Sequence, residues 1–335
     1  MESKPLRSRV RDASPPGEPP LVTVVIPAYN RETCLGEAIE SVLAQAANFP
    51  YEVLVVDDGS TDSTAAIARS YSYPVRVLSK QNGGPASARN AGVLSARSRL
   101  IALLDSDDLM SPGRLAQQAG FLQAHPEVVL TFGDLVRESD TERDDLRSSG
   151  LPYVQNQWLV VDDPYRRLLT EGNFVNNVTT MFRKEDYITA GMMDESLRVS
   201  EDYELWSRMC SIGKFAYYCA PFARVRRDLK DNLMSSPYAR TDRAIALHRM
   251  LLRDRVLRPE DKQKSLALLR ERLRNLLRYD LRERGRRQML GDLREIGSRF
   301  GRWYFVKWWM VSLTPRPAAR LISRFRSRAT RQAWR

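Results

Sequence analysis

Between residues 21 and 132, short apolar runs alternate with stretches of helical periodicity, and acidic residues collect just after several of the runs end. Leu21–Ile26 is β-branched and is expected to stop at Pro27. A helical stripe follows, with Leu35, Ala38, Ile39, Val42 and Leu43 at spacings of three and four, and Asn30 is placed to cap it. Tyr51–Val56, Val75–Ser79, Leu100–Leu104 and Val128–Phe132 are the next strands. Asp57-Asp58-Gly59-Ser60 supplies a turn and a helix cap, Ala86–Ala96 a helix behind Gly83-Gly84-Pro85, and Pro112 opens another. Such alternation implies right-handed crossovers and a mainly parallel α/β sheet flanked by helices. Ligands of these sheets bind outside the carboxyl ends of the strands. Tyr29, Asp57-Asp58 and Asp105–Asp108 all fall there, so one rim gathers several carboxylates.

Composition narrows the class. The 335 residues are 43% hydrophobic and 28% charged, which excludes global disorder and a polytopic membrane protein. Three cysteines (Cys34, Cys210, Cys219) form no Cys-x-x-Cys pair, and His125 and His248 are the only histidines. Neither a disulfide scaffold nor a thiolate zinc site is indicated. No apolar h-region precedes the first strand, so a reducing, cytoplasmic location is expected. Three segments are predicted: a flexible Pro-rich lead over 1–20, an α/β domain over 21–238 and a basic helical extension over 239–335. Within the second, 134–165 reads as a loop, Asn176–Phe182 as a strand and Asp202–Ile212 as a helix. In the third, Leu266, Leu269, Leu273, Leu276 and Leu277 stripe a helix over 259–284.

Charge is uneven. Residues 249–335 hold 22 Arg and 3 Lys against 8 acidic residues, whereas the whole chain is +12. From Ile296 on there are ten basic side chains and no acid, which calls for an anionic partner. Trp303–Leu313 is too short to span a bilayer. Its aromatics, flanked by arginines, suit a headgroup layer. Peripheral attachment to an anionic membrane through 296–335, on the cytoplasmic face, is therefore expected.

Each rim motif also has an ordinary reading as a turn or a helix cap. Three carboxylates within four residues at Asp105, Asp107 and Asp108 are harder to explain that way, because they repel one another unless a cation or a hydrogen-bond network is present. Mg²⁺ is commonly held by one or two carboxylates plus substrate phosphates. In Ser200-Glu201-Asp202, a carboxylate at a helix start suits a general base.

Taken in order, VVIPAYN, VDDGSTD, GGPASARNAG, LDSDD and SEDYELW resemble the family 2 inverting glycosyltransferases of GT-A fold (nucleotide-diphospho-sugar transferase, Rossmann-like), over about residues 21–235. The resemblance implies a hexosyltransferase-type enzyme of cell-surface polysaccharide or glycolipid synthesis. It would use a nucleotide-diphosphate sugar donor, a divalent metal (Mn²⁺ or Mg²⁺) and a glycan or lipid-linked acceptor. It implies Pro27, Tyr29 and Asp58 on the nucleoside, with Asp58 on the base. Arg89, Asn90 and Asp105 are implied on the donor side, Asp107 on the metal and Asp202 as catalytic base. Asp194, Glu195 and Glu201 would lie on the acceptor side. The chain departs from the family at Gly191-Met192-Met193, usually Gly-Gly-Phe. It departs again at Val225-Arg226-Arg227-Asp228, usually Tyr-Arg-x-His, where Asp228 or the arginines would substitute. Alternatives are a nucleotidyltransferase, which would want a basic Gly-rich loop after the first strand, and a nucleic-acid-binding protein using the tail, where no known module is apparent. Nucleic acid is not an expected partner.

Overall fold

Two seven-residue runs, VTVVIPA and YEVLVVD, are buried along nearly their whole length. That is the pattern of strands covered on both faces. The computed structural model describes residues 9–10, 19–137, 149–226 and the helical positions 246–247, 260–261, 263–264 and 268. By compactness the chain divides into Met1–Met234 and Ser235–Arg335. In the second unit the described positions are helical. The rest of the expected 259–284 helix, His248, Asp228 and the basic aromatic tail from Ile296 lie outside the described residues.

The first unit begins with β1 (Arg9–Val10), within the N-terminal lead, and β2 (Val22–Ala28), then α1 (Leu35–Leu43) and β3 (Tyr51–Asp57). Helix α2 (Thr64–Ser70) leads to β4 (Val75–Ser79), and α3 (Pro85–Ser95) to β5 (Leu100–Leu103). A two-residue β6 (Leu109–Met110) precedes α4 (Arg114–Ala124) and the long β7 (Val128–Arg137). There follow β8 (Trp158–Val160), α5 (Pro164–Thr170), a 3-10 turn at Asn177–Thr179 and β9 (Met181–Arg183). Helices α6 (Lys184–Thr189) and α7 (Glu201–Met209) and strand β10 (Lys214–Val225) complete it.

The sheet order is β1-β4-β3-β2-β5-β9-β7-β10-β6, with β8 also paired to β10. Strands β4, β3, β2 and β5 are parallel, as are β7 and β10. β9 runs antiparallel to both β5 and β7 and joins the two parallel blocks. The mainly parallel α/β sheet expected from the alternation is therefore present, with its antiparallel members confined to short strands.

Several local expectations change. β2 does not stop at Pro27 but continues to Ala28. The Val25 carbonyl accepts from Leu104 N and the Ala28 carbonyl from Asp58 N, so alternate residues face β5 and β3. Pro27 faces the β5 side beyond the last β5 residue, where no backbone N–H is required. Asn30 does not cap α1, which starts at Leu35 behind Cys34, and Ser63 rather than the Asp57–Ser60 turn flanks α2. Asn176–Phe182 is mostly a 3-10 turn, with β9 only three residues long. Within 134–165, β7 runs on to Arg137 and β8 forms, both supported by the β10 edge. α7 ends at Met209, not Ile212.

The amino ends of the strands carry a closed polar network. Glu52, 2% exposed, accepts from Thr23 Oγ1 (2.7 Å), Arg97 N (2.8 Å) and Arg76 (2.6 Å), and Thr23 also meets Ser98. Every oxygen of this buried acid is matched, so it adds order without an uncompensated charge. The carboxyl ends are where the polar groups of interest gather.

Candidate active site

At the end of β3, Asp58 is buried and its two oxygens are heavily used. Oδ1 accepts from Lys80 Nζ (2.6 Å) and Gly83 N (3.0 Å), and Oδ2 from Gly84 N (2.8 Å). Gly84 has φ of +86°, which turns the two amides onto the carboxylate. Gly83 N also reaches Oδ2 (3.2 Å), so the carboxylate's roughly four lone-pair sites are all engaged. At the end of β2, Tyr29 is 45% exposed over the rim. Asn30, at φ +52°, accepts from Thr61 N (2.9 Å) and so ties the β2 and β3 ends together.

Arg114 sets the end of β5. Fully buried, it donates to the carbonyls of Leu103 (3.0 Å), Val178 (2.7 Å) and Thr180 (2.9 Å), two residues before the acidic loop. In that loop Asp105 pairs with Arg89 Nη2 (2.7 Å), and Arg31 Nε stands 3.8 Å from Asp107 Oδ2. Asp108 is buried and accepts from Arg226 N (3.3 Å). Burial, then the charge of Asp105, raises the Asp107 carboxyl above its usual range while Arg31 opposes. Burial together with Asp105 and Asp107 pushes Asp108 up to about 8.

Arg89 is the connector. Its Nη1 donates to Glu201 (2.7 Å) at the start of α7, while Nη2 holds Asp105. With its amide turned oxygen-inward, Asn177 also accepts from Arg89 Nε (3.2 Å). Burial works against the charge of Arg89, but Asp105 and Glu201 outweigh it and raise its pKa. Burial, with Asp202 behind it, pushes Glu201 up to about 7 against the pull of Arg89. Asp202 accepts from Tyr203 N (2.6 Å) and Asn173 Nδ2 (3.2 Å), and burial raises its carboxyl. The residue before this pair, Ser200, sits at φ +68°. A non-glycine residue held there carries strain of the kind that clusters at functional sites.

The loop before α7 is clamped from two sides. Asn90 accepts from Tyr187 Oη (2.6 Å) and Met193 N (3.0 Å), and donates to Met193 O (2.9 Å) and Glu195 (3.0 Å). Arg208 donates to the carbonyls of Ala190 and Met192 while pairing with Glu204 (2.7 Å). Gly191 and Met192, both at positive φ, make the turn that aims those carbonyls at Arg208.

The model for glycosyl transferase family 2 matches residues 23–187. The amylovoran biosynthesis glycosyltransferase AmsE of Erwinia amylovora is 32% identical over 201 residues, spanning 58% of this chain and 71% of that protein. The chain belongs to glycosyl transferase family 2. The succinoglycan biosynthesis protein ExoO of Rhizobium meliloti is 36% identical over 209 residues, 58% of this chain and 57% of that one. Against other curated relatives, uncharacterized glycosyltransferases of Rickettsia, the chain spans about three fifths of their length. In fold it resembles S. aureus TarS 1-349, solved in complex with UDP-GlcNAc. The TM-score is 0.62 at 20% identity, with 83% of this chain and 81% of that one covered.

Asp105, Glu201 and Asp202 come together around Arg89, with Asp107 beside them on the rim. Asn90, expected on the donor side, points its whole amide into the loop that carries Asp194 and Glu195. Pro27 and Tyr29 lie at the β2 end beside the Asp58 turn. Lys80, Arg31, Asn173, Arg208 and Arg114 also take part, and none of them belongs to the motifs that carry the family resemblance. Lys80 and Arg31 follow strand ends, so the rule that singled out the aspartates extends to them. Glu204 four residues before Arg208 marks their ion pair in the local sequence, but nothing there marks Asn173 or Arg114. Among the described residues no group of three or more His, Cys, Asp and Glu is gathered as a metal cage. The donor set fits instead a hard cation held by one or two carboxylates and completed by phosphate oxygens. Asp105 and Asp107, with side chains 33% and 28% exposed, are the carboxylates that could take part, Asp105 being already paired with Arg89.

Proposed function

We propose that this protein transfers a sugar from a nucleotide-diphosphate donor to an acceptor hydroxyl, with inversion at the anomeric carbon. The observation that carries the reading is the Arg89 bridge. One buried cation holds Asp105, next to the diphosphate side, and Glu201, next to the base, in a fixed relation. The nucleoside would lie over Tyr29 with a base N–H on Asp58. Asp107, with Asp105 behind it, would hold the divalent cation. When bound, that cation neutralises charge on the diphosphate leaving group. Asp202, oriented by Asn173 and the Tyr203 amide, takes the acceptor hydroxyl proton as the hydroxyl attacks C1. No covalent sugar–enzyme step is needed, so positioning and electrostatics supply the acceleration. The names of ExoO and AmsE support a role in polysaccharide synthesis, with a glycan or lipid-linked acceptor, and the UDP-GlcNAc complex of TarS makes uridine-diphosphate sugars the first donors to test. Arginines and aromatics from 296 onward would bring the enzyme to an anionic membrane.

Thermal shift with candidate nucleotide sugars and Mn²⁺ or Mg²⁺ tests the reading. A binder at a hundred times its dissociation constant stabilises by ~2.7 kcal/mol. Asp202→Asn keeps the shape of the side chain and loses its basicity. It is expected to lower transfer by about 10²–10⁴-fold with donor-induced stabilisation unchanged. Turnover within a few-fold of wild type would remove Asp202 as the base and bring Glu201 forward.

A further inference from the structure

Arg226 meets the acidic loop at Asp108, while Arg89 and Arg31 face Asp105 and Asp107 and are held very differently. Arg89 is buried and locked by hydrogen-bonded pairs at 2.7 Å to Asp105 and to Glu201. Arg31 Nε approaches Asp107 only to 3.8 Å, beyond hydrogen-bond reach, and the two side chains are 21% and 28% exposed. Its backbone is anchored, since its N–H donates to Thr64 Oγ1 (2.7 Å). Its guanidinium is tethered at the rim by donation to the Asn30 carbonyl (3.0 Å). The charge of Arg31 thus sits where Asp107 needs one, without a bond that fixes it there.

We propose that Arg31 is a resident counter-ion of Asp107, and that its displacement makes divalent-metal and nucleoside-diphosphate binding mutually dependent. This rests on the glycosyl-transfer reading above. Without nucleotide, a cation arriving at Asp107 competes with a charge already present, and few other oxygens reward it. A diphosphate brings oxygens for the cation and an anion for the released guanidinium. A guanidinium tethered at the rim can serve both states, because it donates to carboxylate and phosphate alike. Thermodynamic linkage then requires that metal tighten nucleotide by the same factor as nucleotide tightens metal.

Calorimetric titration of Mn²⁺ into the full chain, alone and with UDP, dTDP or GDP in turn, tests this. Wild type should bind Mn²⁺ weakly alone and more tightly with one of the nucleotides, by a factor on the order of 5–150. Arg31→Gln should bind Mn²⁺ alone about tenfold more tightly than wild type, and its nucleotide enhancement should shrink. Arg31→Lys, which keeps a cation at the site, should stay close to wild type, and Asp107→Asn should lose the Mn²⁺ response. If Arg31→Gln binds Mn²⁺ alone no more tightly than wild type does, while wild type binds both metal and nucleotide, the counter-ion role fails and the transfer reading stands. If wild type binds neither, both fail.

Discussion

Arg89 and Arg114 are both buried guanidiniums, yet the molecule satisfies them in different ways. Among the described residues Arg114 pairs with no carboxylate; it donates to three backbone carbonyls and to Gln118 Oε1 (2.8 Å), which suits a role in fixing the β5 end. Arg89 is satisfied by charge, so its removal must expose a cost in Glu201. A carboxyl whose folded pKa lies above its unfolded value contributes stability at low pH. That contribution fades as pH rises from the ordinary glutamate range toward about 7 for Glu201. Removing Arg89 takes away the favourable charge beside Glu201 and raises the carboxyl further. Arg89→Met is therefore expected to destabilise by about 3–5 kcal/mol at pH 8, the range for breaking a buried pair, and by clearly less at pH 5. Urea unfolding at the two values measures it, and equal losses would show that Glu201 does not feel Arg89.

At the scale of elements, α3 carries both Arg89 and Asn90, and its depth against the sheet decides where they reach. Gly92 makes that depth possible. A Cβ there would run into Val25 Cγ1 and stand 3.0 Å from Val56 Cγ2. Glycine inside a helix ordinarily costs ~0.5–1 kcal/mol relative to alanine, so Gly92→Ala would be stabilising were the helix isolated. Here overpacking is expected to win by a net ~1–3 kcal/mol of destabilisation, visible as a lower urea midpoint with an unchanged slope. A gain in stability would mean that α3 can back away from β2 and β3. The same helix shows what the sequence could and could not disclose. The parallel core was legible because β2, β3, β4 and β5 are each a run of buried side chains bounded by Gly, Pro or Asp. The strand-end rule then pointed to Asp58, Asp105 and Asp107. The direction of Asn90 was not legible, because its partners Tyr187, Met193 and Glu195 lie about a hundred residues away and no local periodicity encodes them. Pro27 misled for a related reason. Proline stops a strand only where its missing N–H is needed, and that depends on how far the neighbouring β5 extends.

For the molecule as a whole, charge separation is the dominant feature. Residues 249–335 carry a net +17 from 22 Arg, 3 Lys and 8 acidic residues, leaving the remainder of the +12 chain acidic. Basic residues close to an anionic leaflet contribute ~1 kcal/mol each. Full-length protein is expected to co-sediment with vesicles containing phosphatidylglycerol, to be released by 0.5 M salt, and to ignore purely zwitterionic vesicles. Equal recovery in the supernatant with both vesicle types at low salt would exclude membrane attachment. The order in which the sheet is threaded has a consequence of another kind. β5 ends at Leu103, but the strand that covers its open edge, β9, begins only at Met181. At roughly 5–20 residues per second on the ribosome, that edge waits on the order of 4–16 s for its partner to be synthesised. Nascent chains paused anywhere in this interval present one open, hydrophobic strand edge to their neighbours. A chaperone that shields sheet edges would matter most to this protein during those seconds.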